Sequence, residues 1–264
     1  MKQGMTESYA RDVSIEESRI FPWESVRVGC AGWSIPRQGA AHFVSGGRHL
    51  ERYSQEFNAC EINSSFYRPH KKETWERWAR SVPAGFRFAV KAPRTITHEA
   101  KLNCSSEVLS AFLEQIEFLR EKLGPVLIQL PPSLEFDHAR ARKFLSLLRE
   151  RFSGDVVWEP RHASWFEDQG DNLLKEFHIA RVAADPACVP ASTRPGGLAS
   201  LAYFRLHGSP RRYFSAYSDD DLNMLAAQLA SLVAGSRVWC IFDNTASGSA
   251  VENAFELTEK LRTL

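Results

Sequence analysis

Several things are scarce in this chain, and each shortage argues against a class of function. Its 264 residues carry 33 Lys and Arg against 32 Asp and Glu, a formal net charge of +1. No global basic field points to a polyanionic partner, so any cationic patch must be local. No apolar stretch is long enough to span a bilayer, and the first 25 residues are polar and mixed in charge, unlike a secretory signal. The five cysteines (Cys30, Cys60, Cys104, Cys188 and Cys240) are odd in number and never spaced C-x-x-C, a usage that fits a reducing cytoplasm. H-E-x-x-H, G-x-S-x-G and P-loop motifs are missing too, so zinc-protease, serine-hydrolase and NTPase readings lack their main warrant.

What is present is periodic. Apolar residues make up 44% of the chain and charged ones 25%, ordinary for a globular protein with a sizeable core. Eight short apolar runs stand at Val26–Gly32, Ala59–Ser64, Phe86–Ala92, Val126–Pro131, Val156–Pro160, Ala180–Asp185, Leu201–His207 and Val238–Asn244. Runs apolar on both faces and separated by helical patterns signal a parallel sheet. A helix is expected over Ser105–Leu123, stopped by Gly124-Pro125, and another over Asp137–Phe152. Ser218 followed by three aspartates caps a third, stopped by Gly235, and a fourth spans Gly248–Arg262. Pro186 to Pro195 holds three prolines and no helical period, so the sixth crossover is expected to be a loop. Residues 1–25 read as a poorly ordered leader, with Phe21, Pro22 and Trp23 able to fold back as a plug, and residues 26–264 as one domain. Eight strand–helix units in this length match a single-domain α/β fold, a (β/α)8 TIM-like barrel. A doubly wound sheet is the alternative, but Gly29-Cys-Ala-Gly32 lacks the G-x-G-x-x-G turn.

The segment from Val156 to Trp165 shows where the chemistry lies. Strand side chains alternate with period two, so Val157, Glu159 and Arg161 share a face and an apolar strand ends in charge. Other strands end alike: Glu61 and Asn63, then Phe66 and Tyr67; Lys91, then His98; Gln129; Asp185; Arg205 and His207; Asp243 and Asn244. Charges in apolar strands are costly unless paired or solvated, and the C-terminal mouth of a barrel is where they can be both. Cations there (Lys91, Arg161, Arg205) suit a carboxylate or phosphate. Gly208–Tyr213 and Thr245–Ser249 follow the last two strands, where barrels often hold phosphate, although Ser247 could simply cap its helix.

These residues point to an enzyme acting on a small polar, anionic, phosphate- or nucleotide-like substrate. Lys91, Arg161 and Arg205 would bind the anion. Glu159 would be the general acid/base, partnered by Glu61 or His207. Asn63, Tyr67, His98, Gln129, Tyr213, Asp243 and Asn244 would line the substrate. The bland reading is that Glu159 only neutralises arginines in a structural network. Glu61, Glu159, Asp185 and His207 could instead ligate a divalent metal, making a metal-dependent hydrolase of the same face, but neighbouring arginines disfavour a cation, so no cofactor is expected. The rim aromatics Phe66, Tyr67, Trp165, Tyr213 and Tyr217 leave a non-catalytic nucleic-acid binder as the other alternative.

As an ordered set the motifs resemble the YecE-like family, domain of unknown function 72. They are Gly32-Trp33, Glu61-Ile-Asn-Ser-Ser-Phe-Tyr67, Phe88-Ala-Val-Lys91, Ile96-Thr-His98, Gln129-Leu-Pro-Pro132, Glu159-Pro-Arg-His162 with Trp165, Arg205-Leu-His-Gly208 and Tyr217-Ser218. The resemblance implies a TIM-like barrel and adds Trp33 to the rim, but implies no reaction. The chain departs from the pattern in a shortened Ser34–Phe43 segment, without the usual second tryptophan, and in Asp243, where the family commonly has asparagine.

Overall fold

Parallel strands buried on both faces need helices to cover the outside and side chains to fill the inside, and the chain supplies both. The computed structural model describes residues 25–264, so the expected leader, with Phe21, Pro22 and Trp23, lies outside the described residues except for its last position. The strands are β1 (Val26–Ala31), β2 (Ala59–Ile62), β3 (Arg87–Lys91), β4 (Leu123–Gln129), β5 (Val156–Glu159), β6 (Ala180–Arg181), β7 (Ala183–Asp185), β8 (Gly196–Gly197), β9 (Leu201–Leu206) and β10 (Arg237–Phe242). They form one sheet in the order β7-β9-β10-β1-β2-β3-β4-β5-β6-β8. The helices are α1 (His49–Glu56), α2 (Ser64–Tyr67), α3 (Lys72–Arg80), α4 (Ser106–Ile116), α5 (His138–Arg151), α6 (Asp168–Glu176), α7 (Asp219–Leu232) and α8 (Ser249–Arg262).

The sixth apolar run closes the barrel by bending. Its first half, β6, pairs parallel with β5 and its second half, β7, pairs parallel with β9, with Val182 between them bonded to the Trp158 carbonyl. The single strand expected over Ala180–Asp185 is therefore two. The crossover that follows contains no α-helix, only a 3-10 turn at Pro190–Thr193 and the two residues of β8, antiparallel to β6.

One helix boundary differs from expectation. The helix drawn over Ser105–Leu123 ends at Ile116, a 3-10 segment follows over Glu117–Lys122, and Leu123 already belongs to β4. Arg120 at φ 52° breaks the helical path there. Gly124 lies in β4, and glycine is required there because a Cβ would come within 2.6 Å of the Trp239 ring. Elsewhere local signals hold. Ser218 Oγ accepts the Asp221 N–H while the Asp221 carboxylate accepts the Ser218 N–H, a capping box worth about 1 kcal/mol.

Register divides the interior into two tiers. Ala59, Ala89, Leu127, Val157, Ala180, Val182, Leu201, Tyr203, Trp239 and Ile241 pack together inside the barrel. A larger apolar layer, including Trp75, Trp158 and Trp165, fills the space between sheet and helices. One period-two step beyond the inner apolar tier come Glu61, Lys91, Gln129, Glu159, Arg205 and Asp243. Strand alternation thus stacks a charged tier on an apolar one, at the C-terminal end.

Candidate active site at the barrel mouth

Arg205 is the centre of the charged tier and is fully buried. Its Nε donates to Glu61 Oε2 at 3.0 Å and its Nη2 to Glu61 Oε1 at 2.7 Å, a two-pronged pair. Nη1 donates to Glu159 Oε2 at 2.7 Å, and Nη2 also reaches Asp243 Oδ2 at 2.8 Å. Tyr203 completes the Glu61 side by donating to Oε2 at 2.8 Å, and Gln129 Nε2 donates to Glu159 Oε2 at 2.8 Å. Arg161 Nη2 lies 2.6 Å from Glu159 Oε1, close but off the hydrogen-bond direction.

His207 has its protonation fixed by its neighbours. Its Nε2 faces Arg205 Nη1 at 2.9 Å and Arg161 Nη2 at 2.8 Å, both of which can only donate. Nε2 must therefore accept, leaving the proton on Nδ1, which donates to the Asp185 carbonyl at 3.0 Å. Burial, then Arg205 and Arg161, hold the imidazole well below its usual range. It is a neutral ring at physiological pH.

The carboxyls separate by environment. Burial alone would raise Glu159, but Arg161 and Arg205, with Lys91, more than offset it and hold it far below the usual carboxylate range. Asp243 moves the other way: burial, helped by Glu61 and Glu159, outweighs Arg205 and pushes it up to about 6. Lys91 is pulled down to about 8, by burial first and then Arg205, against the attraction of the carboxylates. Its Nζ sits 4.2 Å from the centre of the Phe66 ring. No acceptor among the described residues lies within hydrogen-bonding or ion-pair distance of it.

Exposure sorts the tier into floor and rim. Glu61, Glu159, Arg205 and His207 are sealed at 0%. Lys91 and Gln129 keep 9%, the Arg161 side chain 10% and the Asp243 side chain 14%. A ligand could touch only the second group. Three buried polar atoms here lack hydrogen-bond partners: Arg161 Nε, a donor, and Glu159 Oε1 and Asn63 Oδ1, acceptors. Such orphans are rare in folded proteins and mark places a ligand or water can complete.

The chain is similar to known proteins in sequence and in fold. The model of the protein family of unknown function DUF72 matches residues 27–264. The chain belongs to the DUF72 family. It is 31% identical over 173 residues to UPF0759 protein YecE of Escherichia coli K12, covering 63% of this chain and 61% of that protein. With YecE of E. coli O157:H7 it shares 31% over 142 residues, and this match spans about half of that relative's length. UPF0759 protein YunF of Bacillus subtilis is 25% identical over 269 residues, covering 89% of this chain and 94% of that one. Among solved structures, the Thermotoga maritima DUF72 protein TM1631 superposes with a TM-score of 0.74 at 26% identity, over 89% of this chain and 98% of that one. The Enterococcus faecalis DUF72 protein EF0366 gives 0.78 at 23%, over 89% and 95%.

Within this DUF72 barrel, Glu61, Lys91, Gln129, Glu159, Arg161, Arg205, His207 and Asp243 converge on one mouth. His98 stands beside them: its Nδ1 meets Thr97 Oγ1 at 2.9 Å, its ring meets Phe66 edge-on, and Lys91 and Arg161 help lower its affinity for a proton, after burial. Tyr213 reaches His207 edge-on at 5.9 Å and is 42% exposed, so it partly roofs the floor. Two expected lining residues, Trp33 and Asn244, are placed elsewhere, and Tyr67 stands in solvent against Phe66. Tyr67 is 73% exposed, Trp33 packs edge-on against Trp78 and Phe88, and Asn244 is buried with Nδ2 on Ser215 O and Asn253 Oδ1. Ser247 does not cap α8 either. The cap position is Gly248 at φ 83°, and the Ser247 hydroxyl donates to the Phe214 carbonyl.

Among the described residues no group of three or more His, Cys, Asp or Glu is set to hold a metal ion, and Arg205 fills the space between the three carboxylates. No helix there is long and apolar enough to cross a membrane. The residue that sequence reasoning missed is Tyr203. The signal was available, since Tyr203, Arg205 and His207 alternate on one face of β9 and its end.

Proposed function

We propose that this barrel is an enzyme that holds a small polar substrate by an anionic group and acts on it by proton transfer at the mouth. The observation that carries this reading is the unmatched Lys91 ammonium at a partly open rim, while every nearby carboxylate is engaged by Arg205 or Arg161. An anion resting on Lys91 Nζ and the idle Arg161 Nε–H would satisfy both. Glu159 is ionised and sealed, so it suits neither role of a general acid/base; with Glu61 and His207 it positions the arginines. The titrating groups within reach are Asp243 near about 6 and Lys91 near about 8. A carboxylate base and an ammonium acid separated this way act together between those values, which predicts a bell-shaped rate profile with limbs belonging to the pair.

Thermal-shift and calorimetric titration with phosphate, nucleoside monophosphates and lactate tests the binding half. At least one anion should stabilise the protein, and R161Q and K91M should abolish the effect. A panel without any shift, or variants that respond like wild type, would refute the reading. The second reading is a nucleic-acid binder, favoured by exposed Tyr67, Tyr213 and Phe214 beside Arg68, Arg211 and Arg212. It requires affinity for DNA or RNA that falls steeply with salt.

A further inference from the structure

We infer that Lys91 is a covalent nucleophile that condenses with a carbonyl compound bearing a carboxylate, which makes oxo acids the substrate class of the mouth. The inference rests on the anion-binding reading above and specifies it. Its basis is a contrast between two buried lysines of the same chain. Lys122 is structural, its Nζ donating to the Pro83 carbonyl at 2.6 Å and the Ala84 carbonyl at 2.9 Å. Lys91 has no such acceptor, although Glu61, Glu159 and Asp243 all act on it electrostatically. Those carboxylates are turned toward Arg205 instead, and Arg205 sets a second positive charge beside the amine. An amine left partly dry beside other cations gives up its proton easily and becomes nucleophilic at neutral pH. Phe66 below it fixes the direction from which Nζ can attack.

The second element is a place for the carboxylate. Arg161 is nine-tenths buried with an unpartnered Nε–H, and it shares with Lys91 the environment of His98. A substrate carboxylate on Arg161 brings a nearby carbonyl carbon toward Nζ. Asp243 takes a proton from the Lys91 ammonium, the neutral amine adds its lone pair to that carbon, and a proton passes from the nitrogen to the carbonyl oxygen to give a neutral carbinolamine. The nitrogen lone pair then forms the C=N bond as the C–O bond breaks, and the hydroxyl leaves as water with a proton from Asp243. The protonated imine carries the positive charge that the ammonium carried before. It can accept electrons from a bond broken at the adjacent carbon, and the Asp243 carboxylate is the base at hand.

The test is trapping on the full chain. Pyruvate or glyoxylate is added with sodium cyanoborohydride, which delivers hydride to an imine. The expected intact mass gains one probe molecule, less one oxygen atom. Peptide mapping should place it on Lys91, and K91R should take up none there. R161Q should lower the trapping rate about tenfold or more, the loss of one charge-assisted hydrogen bond. Competitive acetylation of wild type, read by mass spectrometry, supports the inference independently of any variant's folding if Lys91 titrates near about 8. Modification spread over exposed lysines, with none favouring Lys91, would overturn it. Lactate separates the two levels, since it has the carboxylate without the carbonyl. Stabilisation by lactate with no pyruvate adduct overturns the imine and spares the anion site; neither effect overturns both.

Discussion

Replacing Glu159 by Gln distinguishes a catalyst from a buried counter-ion. The side chain is fully buried, accepts from Arg205 at 2.7 Å and Gln129 at 2.8 Å, and has Arg161 at 2.6 Å. E159Q keeps the shape, removes one of three carboxylates facing Arg205 and leaves Arg161 without its anion. Breaking a buried pair from one side costs about 3–5 kcal/mol. For a domain of this size that is roughly 10 °C in Tm. The pH dependence adds a signature. Glu159 is held below its unfolded value of about 4.3, so its contribution is complete above that value and is lost as pH falls through the lower folded one. Urea denaturation should therefore show the full gap between E159Q and wild type at pH 7, shrinking below about pH 4. A variant within about 1 kcal/mol of wild type at pH 7 would refute the buried-counter-ion account. Combined with lost turnover, that result would restore Glu159 as the acid/base.

Three further outcomes follow from individual contacts. Asp243 has the opposite linkage: its folded value near about 6 exceeds the unfolded one, so wild-type stability falls as pH rises from about 4 to about 6. D243N should erase that slope, gain up to about 3 kcal/mol at pH 7 in urea denaturation, and lose the acidic limb of the rate profile. Y53F removes a hydroxyl that accepts the Cys30 N–H at 2.7 Å and donates to the Ala59 carbonyl at 3.1 Å; denaturation should show a loss of about 1–3 kcal/mol with the mouth's ligand response unchanged. G29A drives a Cβ to 2.0 Å from the Ala59 carbonyl oxygen, between two paired backbones that cannot both stay in register. It should cost about 3 kcal/mol or more in the same assay, and a near-neutral result would contradict the β1–β2 packing.

The barrel was legible because its strands are short apolar runs with turn signals, and because each ends in charge. Period-two alternation puts Val157, Glu159 and Arg161 on one face, and the position of Glu61, Lys91, Gln129 and Arg205 at strand ends points them to the same mouth. Partner choice was not legible. Nothing in the sequence says that Arg205 takes both Glu61 and Glu159, because those residues are 144 and 46 positions away and meet only when the barrel closes. That choice engages the Glu159 carboxylate with Arg205 and leaves Lys91 without an acceptor among the described residues. Local signals also misled where tertiary packing overrode them. Gly124-Pro125 reads as a helix stop, but Gly124 is small to admit Trp239. Ala180–Asp185 reads as one strand, but closure between β5 and β9 bends it at Val182.

The central claim is that the reachable chemistry of the mouth lies at Lys91, Arg161 and Asp243, above a sealed layer of ion pairs. A crystal structure of the protein grown in lactate tests it most directly. The expected density is a carboxylate on Arg161 Nε with Lys91 Nζ beside it, and Glu61, Glu159 and Arg205 unmoved. Lactate seated elsewhere, or a Lys91 ammonium paired to one of those carboxylates, would contradict it.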